Sequence, residues 1–161
     1  MKKSFIAFLV LLSIGQSSCE KDDFCTLNPV TPNLVLRFYD NDDKDELKNV
    51  TRLSVILRNE NDTLINVTST DSIAIPLNTN AMETVYTLIK NESEDGNEAA
   101  NEEATLTITY EPEDDYVSRS CGFRVIFNNV NFTSSGWIDE LSTEELESIK
   151  TQENAHVNIF H

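Results

Sequence analysis

Three cysteines, two histidines and two runs of carboxylates are the residues of this chain whose types and spacing could carry chemistry. The first run is Asp40-Asn41-Asp42-Asp43-Lys44-Asp45-Glu46. Calcium takes about six to eight oxygen ligands, and carboxylates clustered on a turn can supply several of them. Asp40, Asp42, Asp43, Asp45 and Glu46 are therefore the candidate calcium set. The run lacks the glycine and distal glutamate of an EF-hand loop, and Lys44 puts a positive charge in its middle, so a solvated turn is the plainer reading. Glu111, Glu113, Asp114 and Asp115 form a second cluster with no better definition. His156 and His161 are an odd number of residues apart, which on a strand puts them on opposite faces, poorly placed to share one metal. No Cys-x-x-Cys, His-Glu-x-x-His or Gly-x-Ser-x-Gly pattern occurs, and four glycines leave no phosphate-cradling loop. The expectation is a protein that is not an enzyme and needs no cofactor or metal.

Cys19 follows a leader with three zones. Lys2 and Lys3 supply positive charge, Phe5 to Ile14 is almost wholly apolar, and Gly15-Gln16-Ser17-Ser18 is small and polar, the layout of a secretory signal. The apolar stretch is about 10 residues, against the roughly 20 needed to span a bilayer as a helix, so a permanent span is not expected. Small residues before a cysteine after a short apolar core resemble a bacterial lipobox, with one departure: Gln16 stands where that pattern usually has an apolar residue. Residues 1–18 are thus read as a lipoprotein signal peptide and Cys19 as the acylated residue; ordinary secretion with a free or paired Cys19 is the alternative. Acylation leaves Cys25 and Cys121 as two thiols in an oxidising compartment, where disulfides persist. They are expected to form a structural bond, since no nearby charge would activate them as a redox pair. Cys121 shares strand parity with Phe123, Val125 and Phe127, which predicts a sulfur aimed at a buried face.

The elements that must position these residues are short strands. Residues 19–32 read as the lipidated cysteine and its tether, charged at Glu20 to Asp23 and broken by Pro29 and Pro32. From Asn33 to His161 the texture is that of a single β domain. Leu34, Leu36 and Phe38 alternate, as do Leu53, Val55 and Leu57, and Ile73, Ile75 and Leu77. Pro76 cannot donate a ladder hydrogen bond and marks an edge strand or strand end. Further strands are expected at 64–67, 82–89, 105–110, 120–127 and 156–160. One short helix is expected over Thr143–Ile149, with Ser142 as N-cap and Glu145 as its capping-box partner. About eight strands and one helix predict an antiparallel β-sandwich, immunoglobulin-like or transthyretin-like in plan. Asn91 to Glu103 reads as a long acidic loop, and Trp137 as a core residue, with a sugar-stacking platform as the alternative.

The formal net charge is −16, and loss of Lys2 and Lys3 with the leader takes it to −18. Nucleic-acid phosphates and anionic lipid repel such a surface, so neither is expected to be bound through a basic patch.

The run from Cys19 to Cys25, then Thr31-Pro32-Asn33-Leu34-Val35-Leu36-Arg37-Phe38-Tyr39-Asp40, resembles an uncharacterised family of Bacteroidota lipoproteins. Residues 70–77, 117–123 and 156–161 add to the resemblance, which spans nearly the whole mature chain. It implies a lipid-anchored, β-rich envelope protein and no particular activity. Lys21-Asp22-Asp23 also resembles a short acidic signal that sends some lipoproteins to the cell surface. The expected function is a non-enzymatic binding or interaction module on the outer membrane, at the periplasmic face or the cell surface, with an envelope protein or glycan as partner. The alternative is a structural or assembly component of an outer-membrane complex.

Overall fold

The computed structural model describes Cys25 and residues 30–58, 63–93, 100–143 and 146–161. The leader, Cys19 and most of the tether lie outside the described residues. Two compact units divide the chain. Val30–Asp115 with Arg124–His161 forms the larger, and Tyr116–Phe123 groups with the segment up to Pro29 in the smaller.

The architecture is an all-β sandwich. Its strands in chain order are β1 (Leu34–Tyr39), β2 (Val50–Leu57), β3 (Thr63–Thr70), β4 (Ser72–Ile75), β5 (Glu83–Lys90), β6 (Glu102–Ser118), β7 (Gly122–Gly136), β8 (Glu140–Ser142), β9 (Ser148–Ile149) and β10 (Val157–Phe160). One sheet has the order β4-β1-β10-β8, the other β3-β2-β5-β6-β7-β9. The alternation that predicts β1 holds, because Leu34, Leu36 and Phe38 are all fully buried. Each such side chain contributes about 1.5–3 kcal/mol on leaving water. They meet Ile73 and Ile75 of β4 and Val157 and Ile159 of β10 on one side of the core. Leu53, Val55, Tyr86, Leu88, Leu106, Ile108 and Phe127 come from the other sheet. Pro76 directly follows β4, an edge strand, as its missing N–H requires.

The sheets are antiparallel-rich, as expected, with one parallel pair: β1 and β10, Leu36 opposite Val157 and Phe38 opposite Ile159. Periodicity carries no information on strand direction, so that pair was not foreseen. Two expectations are corrected. The helix over Thr143–Ile149 is not formed by its described residues: Ser142 ends β8, Ser148–Ile149 is β9, and Leu146 donates to the Thr143 carbonyl at 2.8 Å, while the expected capping partner Glu145 lies outside the described residues. A segment that allows only about two helical turns is a marginal helix in water, and pairing with β10 and β7 outweighs its capping signal. Cys121 sits in the turn between β6 and β7, outside any alternation, and Phe123, its expected companion on a buried face, is 66% exposed.

Tight backbone approaches explain two details. Gly136 has φ +88°, and a Cβ there would lie 2.1 Å from the Glu103 carbonyl oxygen. Glycine is what lets the chain pass β6 and insert Trp137, which is buried and donates its Nε1–H to the Leu88 carbonyl at 3.1 Å. The core tyrosines are satisfied at one loop: Tyr86 donates to the Pro76 carbonyl, and Tyr110 donates to the Asn78 carbonyl at 2.8 Å.

Candidate functional site

The first acidic run does not gather its carboxylates. Asp40 Oδ1 accepts the amides of Asp42 at 2.7 Å and Asp43 at 3.4 Å, while its Oδ2 pairs with Lys48 Nζ at 2.9 Å. Hydrogen bonding from Lys48, then from the Asp42 amide, holds the Asp40 carboxyl below its ordinary range. Asp43 Oδ1 accepts the amide of Asp45 at 3.3 Å. These oxygens cap their own turn. Among the described residues no three His, Cys, Asp or Glu side chains converge to hold a metal, so Asp40, Asp42, Asp43, Asp45 and Glu46 make no calcium cage. The second cluster is likewise engaged: Glu111 accepts from Asn129 at 2.9 Å, Glu113 from Asn128 at 2.5 Å, and Asp115 pairs with Arg124 at 2.8 Å, all from β6 to β7.

The histidines are structural. His156 precedes β10 and extends its parallel pairing with β1. Its amide donates to the Val35 carbonyl at 2.8 Å, and its Nδ1 accepts the Val35 amide at 2.9 Å. The imidazole thus stands in for a backbone carbonyl of the ladder, and this fixes the proton on Nε2, which donates to the Thr151 carbonyl at 2.8 Å. Burial lowers the His156 pKa. The ring of His161 packs edge-on against Phe38 and Trp137, and burial lowers its pKa too. In the smaller unit Cys25 and Cys121 are disulfide-bonded, with Cα atoms 4.7 Å apart and 96 residues of chain between them.

The surface that does remain open is the outer face of the four-stranded sheet. Register places Ser72, Arg37, Asn158 and Ser142 in one row across β4, β1, β10 and β8. The next row is Tyr39, Phe160 and Glu140. A groove of about 370 Å³ lies over these rows, lined by Arg37, Tyr39, Ser142, Asn154, His156 and Asn158 among others. Tyr39 and Phe160 stack with ring centroids 5.7 Å apart, and Lys44 covers Phe160 while pairing with Glu140. The Arg37 side chain is exposed and makes no hydrogen bond or ion pair among the described residues. The contrast with Arg52 is direct. Beside a second hollow, Arg52 donates to the carbonyls of Glu92 and Asn91 at 2.7 and 3.1 Å, so its guanidinium serves the fold. Arg37 presents five donors in a planar fork, the geometry that meets a carboxylate or a pair of hydroxyls.

A family model of a family of unknown function, DUF6452, matches residues 52–161. The chain belongs to this family. Comparison with curated proteins and with solved structures gives no match. The DUF6452 stretch includes Cys121, Ser142, His156 and Asn158, while Cys25, Arg37, Tyr39 and the Asp40–Glu46 turn precede it. Most of the groove's lining therefore belongs to the matched DUF6452 domain, and Arg37 and Tyr39 come from the strand that completes its small sheet. Sequence reasoning missed this site. The available signal was Arg37 itself, an arginine on the outward parity of a strand whose other parity is wholly apolar.

Proposed function

We propose that the protein is a non-enzymatic, lipid-anchored binding module of the cell envelope, acylated at Cys19, that takes a polar ligand in the groove of its small sheet. The observation that carries the binding reading is the Arg37 guanidinium, without a partner among the described residues, in a row with Asn158 and Ser142 and beside the ring of Tyr39. Amides, hydroxyls, one aromatic ring and one free guanidinium suit a hydroxyl- and carboxylate-bearing glycan, since such rings stack on sugar faces and the fork pairs with carboxylate. The resemblance of the leader and tether to Bacteroidota lipoproteins supports the anchor, with the outer membrane as its place.

Titration calorimetry with acidic oligosaccharides released from envelope polysaccharide tests the ligand. Arg37→Ala is expected to weaken binding about tenfold or more, the loss of a charge-assisted bond of about 1.5–3 kcal/mol, without altering the melting temperature. No binding to any such fragment, or equal binding by the variant, would sink the glycan reading. Mass spectrometry of the mature N-terminus tests the anchor separately.

A second reading, an assembly component, draws on β3. Its eight residues form the edge of the larger sheet, mostly exposed and without a charge or proline, which leaves a strand edge open to pairing.

A further inference from the structure

The turn between β6 and β7 differs from the rest of the surface. Tyr116 and Phe123 are 58% and 66% exposed, and their rings meet edge-on with centroids 5.2 Å apart. From Tyr116 to Phe123 the only charged residue is Arg119, which is exposed, in a chain whose 28 acidic residues far outnumber its 12 basic ones. Water is a poor environment for two adjacent large rings, and a carboxylate-free segment is not repelled by lipid headgroups. Tyrosine in particular suits the headgroup zone, because its ring is apolar and its hydroxyl is wet.

The disulfide limits how far these rings can lie from Cys19. Cys121 lies two residues from Phe123 and is bonded to Cys25, Cα to Cα 4.7 Å. Cys25 is six residues beyond Cys19, a span of at most about 20 Å for extended chain. Whatever surface holds the acyl chains of Cys19 therefore lies within a short leash of the exposed pair.

We propose that the β6–β7 tip is a membrane-interface contact, with Tyr116 and Phe123 resting among the headgroups of the bilayer in which Cys19 is anchored. The contact rests on the anchor proposed above. It holds one end of the hairpin against lipid and turns a loose leash into a two-point attachment, covalent at Cys19 and interfacial at the tip.

The test uses the full lipoprotein, purified with its acyl chains and reconstituted into phosphatidylethanolamine–phosphatidylglycerol vesicles. Phe123→Trp adds an emitter at the tip, and Tyr116→Trp on the facing strand is a second probe. Trp137, buried in the core, serves as the internal control. Vesicles with brominated acyl chains are expected to quench the added emission and leave that of Trp137 intact. Added emission equal in brominated and ordinary vesicles, with mass spectrometry showing an acylated N-terminus, would overturn the tip contact alone. An unacylated N-terminus would overturn the anchor and the contact together.

Discussion

β6 changes character at Glu111. Before it, Ala104, Leu106, Ile108 and Tyr110 alternate into the core, none more than 3% exposed. From Glu111 to Ser118 no residue is buried, and the strand is joined to β7 by polar pairs such as Glu111–Asn129 and Asp115–Arg124. Both halves are β-strand, so the pleat does not depend on burial. What differs is the source of order: packing holds the first half, while cross-strand pairs and a covalent bond near the turn hold the second. Surface ion pairs contribute only about 0–1 kcal/mol each, so the disulfide is the stronger constraint on the distal half.

Removing that constraint is the largest expected perturbation. Cys25→Ser/Cys121→Ser frees a 96-residue loop in the unfolded chain and should lower stability by about 4–5 kcal/mol by loop-closure entropy. Denaturant titration without reductant measures it. A loss below about 1 kcal/mol would mean that unfolded-state entropy plays little part here.

A pair of phenylalanines sharpens the contrast within β7. Phe127 is fully buried, its ring 5.0 Å from that of Tyr110, and Phe127→Ala should cost about 3–5 kcal/mol. Phe123→Ala, four residues away at the exposed tip, should change stability by less than about 0.5 kcal/mol. Equal losses from the two would erase the distinction between the halves.

The smallest effect is a dependence on acid. His156 has a pKa below its ordinary 6.5 in the folded chain, from burial above all, and its Nδ1 must stay unprotonated to accept the Val35 amide. Between the lowered and the ordinary value the unfolded chain binds more protons. Stability is therefore full above about pH 6.5 and falls as pH drops through the folded value. Melting temperatures from pH 8 to 5 should show this decline. His156→Asn should flatten it in part, leaving the share of His161, which burial also lowers. A further loss should appear below pH 3.8 as Asp40 gains a proton and its bond from Lys48 weakens.

Legibility followed the range of the interactions involved. Alternation in β1, β2 and β4 was readable because one face of each is buried, and side-chain period two is a local property. The Cys25–Cys121 bond was readable from cysteine arithmetic, although the strand-parity argument for it failed because Cys121 lies in a turn. The full lengths of β6 and β7 were hidden: 111–118 of β6 carries polar residues on both faces, and 128–136 of β7 sets Val130 and Phe132 among asparagines and serines. β8 and β9 were hidden by a capping signature that tertiary pairing overrides. The groove was the least legible of all. Arg37 and Asn158 come together only because two strands at opposite ends of the domain run side by side.

That pairing also fixes an order of events in time. Val35 and His156 are 121 residues apart, and β1 has only β4 beside it until β10 exists. At synthesis rates of about 5–20 residues per second, roughly 6–24 s separate the appearance of the two strands. Pairings between such distant segments are also slow to close once both are present. The larger sheet, built mainly from neighbours in sequence, can assemble earlier from β2, β3, β5, β6 and β7. Until β10 emerges, the nascent chain carries β1 with one open edge and an outward row of side chains that lacks Asn158.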